Sequence, residues 1–179
     1  MLVGPLRIGM SMAEAERLLY EIEGAVAAKP GARRNPGFAD FESGMSIQIA
    51  PDGVGGLRSV EIYRPLKDVR VLCRGISVFE TPADELIRVL SAEVRLEIED
   101  GGLAVIAPDL LLAFGRDVLS NEADGRYFDW MLVAKPGYYD EYEPEVWPSG
   151  KLDDSMVTDP SEVDDGQGSL FRPADVVSG

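Results

Sequence analysis

The chain has 179 residues, enough for one domain with a core of its own. Its 45% hydrophobic and 27% charged content are those of a soluble globular protein. A net charge of −15 disfavours a surface built to hold nucleic-acid phosphates, and the absence of histidine removes Ser-His-Asp and Cys-His catalysis and most zinc sites.

The N-terminal MLVGPLRIGM shows no cationic region followed by a long apolar run and a cleavage site, so no secretory signal is expected. No window of uncharged apolar residues is long enough to span a membrane. The single cysteine, Cys73, cannot form an internal disulfide. Together these features predict a cytoplasmic protein with no membrane partner.

After a first strand, GMSMAEAERLL opens a helix. Ser11 followed by Glu14 fits a capping box, and Ala15, Leu18, Leu19 and Ile22 fall on one face before Gly24. The spacing predicts a helix over 12–23. AKPGARRNPG is then a loop by composition and holds the one basic cluster, Lys29, Arg33 and Arg34.

Two strand patterns follow. Met45, Ile47 and Ile49 alternate in MSIQIA, PDGVGG turns the chain, and Val60 and Ile62 alternate in RSVEIY. This is a half-buried hairpin. VRVLC adds a strand and places Cys73 as a buried, inert thiol, with no histidine to activate it.

A second helix start comes in GISVFETPADELIRVL. Thr81 is the expected cap, Pro82 the first helical residue, and Asp84 lies at the positive helix end. Leu86, Val89 and Leu90 make its apolar face. EVRLEIE alternates Val94, Leu96 and Ile98, DGG turns, and LAVIA returns; LLLAFG and RYFDWMLVA add two more strands. The order helix, strand, turn, strand thus occurs twice, as in a degenerate α-β-β repeat. The expected fold is α+β: a mainly antiparallel sheet with two helices packed on one face.

The C-terminal part changes character. GYYDEYEPEVW interleaves Tyr138, Tyr139, Tyr142 and Trp147 with Asp140, Glu141, Glu143 and Glu145. Aromatic side chains supply contact area at low entropic cost, and the acids suit a basic protein. These eight residues are the candidate interface; the alternative is that the rings fold back and close the edge of the core. From Gly137 onward eleven acids face only Lys151 and Arg172. The expected organisation is one domain over 1–147 and an acidic, proline-containing tail over 148–179.

The stretch IGMSMAEAERLL resembles the start of the first helix in a family of small α+β modules. These include the small lipoprotein of the outer-membrane assembly machine and the β-lactamase inhibitor protein. The resemblance implies a sheet with helices on one face that works by binding protein, and it carries over no functional residue.

Chemistry motifs are missing. There is no phosphate-binding G-x-x-x-x-G-K-[ST] or G-x-G-x-x-G pattern, and GVGG precedes no helix. The acid pairs Asp84–Glu85, Glu99–Asp100, Asp153–Asp154 and Asp164–Asp165 are adjacent in sequence, so neither member of a pair faces the other. TDPSEVDDGQG is rich in oxygen ligands but lacks the EF-hand spacing. No catalytic residue, metal site or cofactor is expected. The leading expectation is therefore a non-enzymatic, immunity-type inhibitor that occludes a basic bacterial toxin. The alternatives are an assembly component of a secretion or phage particle, or a carboxylate- and metal-dependent enzyme.

Overall fold

The structure, a computed structural model, describes residues 1–27, 35–118 and 123–139. By its contacts the chain divides between Glu143 and Pro144, and every described residue belongs to the first unit. The predicted tail and the loop cations Lys29, Arg33 and Arg34 lie outside the described residues.

Strands β1 (Leu2–Val3) and β2 (Leu6–Arg7) form a hairpin. Gly4 has φ +54° at its turn, a conformation that matches the twist of a tight hairpin and costs glycine least. Helix α1 (Met12–Glu21) follows. Ser11 Oγ accepts the amide of Glu14 at 3.3 Å, as the capping box predicts. Ala15 and Leu19 are buried, while Leu18 and Ile22 are half-buried against the core. The helix stops two residues short of the expected end.

Strand β3 (Phe38–Asp40) carries no clear pattern in the sequence, and β4 (Ser46–Pro51) and β5 (Leu57–Tyr63) form the expected hairpin. Their turn is held by Asp52, whose carboxylate accepts the amides of Val54 and Gly56 at 3.0 and 2.7 Å. The start of α1 is tied to this turn: Met12 N donates to Gly55 O, and Leu57 N donates to Met10 O.

Strands β6 (Leu72–Cys73) and β7 (Ile76–Ser77) make a separate two-stranded ribbon. The strand read in VRVLC therefore exists but does not join the main sheet. Helix α2 (Ala83–Ser91) follows, and here the expected cap is corrected. Thr81 makes no capping bond. Pro82 is itself the cap residue, and its carbonyl accepts the amides of Glu85 and Leu86.

Strands β8 (Glu97–Glu99), β9 (Ala104–Ala107), β10 (Leu112–Gly115) and β11 (Trp130–Ala134) complete the main sheet. The strand expected over EVRLEIE is short. Ile98 is 55% exposed, because β8 is the outermost strand and lacks a neighbour on one side.

The seven-stranded sheet is antiparallel throughout, in the order β3-β4-β5-β11-β10-β9-β8. The repeat is larger than α-β-β. Each unit is a hairpin, a helix and three strands, and β11 stands between the two sets of three. The units agree in detail: Ile8 N donates to Met1 O, and Val78 N donates to Val71 O, seventy positions later. Ala15 and Leu19 of α1 match Leu86 and Leu90 of α2 as the buried pair one turn apart.

Strand register sorts the side chains. Ile47, Ile62, Met131, Phe114 and Val105 lie in one row across the sheet and share one face, as do Ile49, Val60, Val133, Leu112 and Ala107. These residues form one buried cluster with Leu19, Leu86 and Leu90. Both helices therefore cover the same, inner face, as expected. Burying a leucine such as Leu90 contributes about 1.5–3 kcal/mol.

Candidate protein-binding surface

The other face of the sheet carries none of that cluster, and α1 and α2 bury their apolar residues on the inner face instead. Pairing brings Tyr63 beside Trp130 and Trp130 beside Gly115; the next row runs Glu61, Leu132, Ala113, Ile106. Small residues, Ala113 and Gly115, sit under larger ones. Trp130 spreads over Gly115, where a β-carbon would coincide with indole ring atoms. The result is a partly buried aromatic and aliphatic patch of Tyr63, Trp130, Leu132 and Ile106 that still reaches solvent.

Acids edge this patch. Glu97 and Glu99 of β8 point outward on one side, and Asp40 of β3 on the other; all three are exposed. Glu61 stands within it. Burial, reinforced by the neighbouring Glu61, pushes the Tyr63 phenol above its ordinary value. At the end of β5 and β11, Arg64 lies 4.9 Å from the centre of the Tyr127 ring and 3.8 Å from Asp129. Aromatic residues and arginine are the types that carry most energy at protein interfaces.

Of the eight interface residues expected from sequence, Tyr138 and Tyr139 are described, and both are half-buried. The chain turns after β11, with Lys135 N donating to Arg58 O and Tyr138 N to Lys135 O. The Arg58 guanidinium lies 4.7 Å from the Tyr138 ring centre. Tyr138 and Tyr139 meet edge to face at 5.1 Å. Burial raises the Tyr139 phenol well above its ordinary value, with Tyr138 adding to the shift. These two rings fold back on the domain. Asp140, Glu141, Tyr142, Glu143, Glu145 and Trp147 lie outside the described residues.

The outer-face residues were not singled out from sequence. A signal was there: in WMLVA both alternating phases are apolar, Trp130 and Leu132 as well as Met131 and Val133. A strand apolar on both faces needs a use for each.

The charge at Arg116 is structural. The buried Arg116 guanidinium donates to Gly102 O at 2.9 Å, Gly125 O at 2.8 Å and Asp84 Oδ1 at 3.1 Å. It joins α2 to the β8–β9 turn and to the chain before β11. Asp100 lies in that turn with φ +47°. Cys73 is buried, and burial pushes its thiol up, opposed in part by the Arg74 charge. Among the described residues no three His, Cys, Asp or Glu side chains converge to hold a metal, and no helix is long and apolar enough to cross a membrane.

Compared with protein-family models, curated proteins and solved structures, the chain gives no significant match.

Proposed function

We propose that this protein is a protein-binding module that occludes a basic partner, and that it serves as an immunity-type inhibitor of a bacterial toxin in the cytoplasm. The observation that carries this reading is the outer sheet face: Tyr63, Trp130, Leu132 and Ile106 partly buried in one block that reaches solvent, with Glu61, Glu97, Glu99 and Asp40 in and around it. An apolar centre with an acidic margin complements a basic surface that has an apolar spot of its own. The net charge of −15 speeds and orients such an encounter. The sequence after Tyr139, with Asp140, Glu141, Glu143 and Glu145 among Tyr142 and Trp147, has the same acidic and aromatic composition.

The test is affinity capture from the source cell with the full-length chain, alongside Leu132→Glu and, as a remote control, Leu66→Glu. The reading expects one basic protein at one-to-one stoichiometry, lost with Leu132→Glu and kept with Leu66→Glu. Expressed alone, the captured protein should arrest growth, and co-expression of this chain should relieve the arrest. Recovery of copies of the chain itself would instead favour the assembly-component alternative.

A further inference from the structure

On the inner side of the sheet the two hairpin–helix units leave a cleft between them, of about 520 Å³. Its floor is the middle of the sheet: Ile47, Ile62, Met131, Val133 and Leu112. One wall is the first hairpin, residues 1–5, and the other is the segment 69–74 leading into the second.

Two further observations give the cleft a chemistry. First, among the described residues its only charged lining side chains are Arg70 and Arg74, and no described carboxylate lines it. Second, its mouth is apolar and exposed. Leu2 is 70% and Leu72 58% exposed, and Met1 and Val69 are exposed beside them. A soluble protein rarely gathers exposed aliphatic side chains in one place without a use for them.

The two arginines are available to a ligand. Arg70 reaches Glu80 at 3.2 Å and Arg74 reaches Glu93 at 3.0 Å, but all four side chains are about half exposed or more. Ion pairs so wetted are weak and exchange readily for another anion.

We propose that this cleft binds a free, single-chain anionic amphiphile, of the fatty-acid type. The alkyl chain lies over Ile62, Met131 and Val133, and the anionic head meets Arg70 and Arg74. A pocket of this size lined by aliphatic residues with a few charged groups is the usual form of a small-molecule site. The same head group on an anionic bilayer is disfavoured, because a chain of net charge −15 is repelled by such a surface.

The experiment uses full-length protein and dodecanoate below its micelle concentration. Calorimetry should show saturable one-to-one binding. Cys73, the chain's one cysteine, lines the same cleft, so its reaction with a water-soluble disulfide reagent should slow as the ligand saturates. The double variant Arg70→Glu/Arg74→Glu, at exposed positions, should keep its circular dichroism and bind at least about tenfold more weakly. Dodecanol, which has the chain without the anion, should lose affinity similarly. Absence of saturable binding, equal binding by the double variant, or unchanged Cys73 labelling would overturn the proposal. So would co-sedimentation with phosphatidylglycerol vesicles, which would make the ligand a membrane. A ligand-free dimer that Leu72→Glu dissociates would overturn it too, because the apolar mouth would then be covered by a second copy.

Discussion

Trp130 on β11 occupies the space that a side chain at Gly115 would fill on the neighbouring strand β10. The two are register partners, so the glycine is what lets the indole spread across the outer face of the sheet instead of standing away from it. Gly115→Ala should therefore displace the ring and strain the pair, at a cost of about 1–3 kcal/mol. Denaturant unfolding measures the cost, and Trp130 fluorescence in a Trp147→Phe background reports the displacement. An alanine variant with unchanged stability and spectrum would show that the ring has room elsewhere.

Arg116 gives a second prediction. Its side chain is 2% exposed while that of its carboxylate partner Asp84 is 66% exposed. Removing the arginine by Arg116→Met strands the carbonyls of Gly102 and Gly125, each at a cost of about 1–3 kcal/mol. Asp84→Ala removes only a solvated partner and should cost less than about 1 kcal/mol. Chemical denaturation of both variants should show this asymmetry. Equal losses would mean that the ion pair, not the carbonyl bonds, holds this corner.

Asp52 predicts a pH dependence. Its carboxylate accepts the amides of Gly56 and Val54 and lies 3.2 Å from Lys135 Nζ, and these contacts hold it below the ordinary aspartate value. A depressed folded-state value means that its contribution is complete above the unfolded value and is lost as pH falls through the folded one. Asp52→Asn should thus lower the melting temperature near neutral pH. The gap should narrow as pH falls below 3.8, the ordinary value, and close below the folded one. A gap that persists unchanged at low pH would assign the effect to side-chain geometry rather than charge.

The helix faces are not equivalent along their width. Leu90 and Leu19 are buried, whereas Leu18 lies half-buried at the flank of α1. Leu90→Asp and Leu19→Asp should unfold the domain, since an unpaired charge in the core costs more than a small domain's reserve. Leu18→Asp should leave a folded protein with a reduced melting temperature, because the carboxylate can reach water. Unfolding by Leu18→Asp as well would show that the α1 flank is closed more tightly than its exposure implies.

Local pattern alone determined much of this fold. Ser11 and Glu14 marked the start of α1, Ile47, Ile49, Val60 and Ile62 marked a hairpin with one buried face, and the apolar spacing of Leu86 and Leu90 marked α2. These signals are legible because a helix or strand must turn its apolar residues to one side, and that requirement acts over a few neighbours. The doubling of the architecture was legible for the same reason, as a recurrence of local patterns.

Tertiary structure alone decided what those elements enclose. The place of β11 between β5 and β10 depends on contacts between residues far apart in the chain, such as Met131 with Ile62 and Phe114. That placement puts Trp130 and Leu132 beside Tyr63 and Ile106 on the outer face, and Met131 and Val133 on the floor of the inner cleft. The pairing of Cys73 with Ile76 in a ribbon of its own, rather than in the main sheet, is likewise settled by a two-residue turn with positive φ at Arg74 and Gly75. Both candidate surfaces are therefore assembled from strands that no local periodicity brings together, because side chains converge in space only after the order of strands is set.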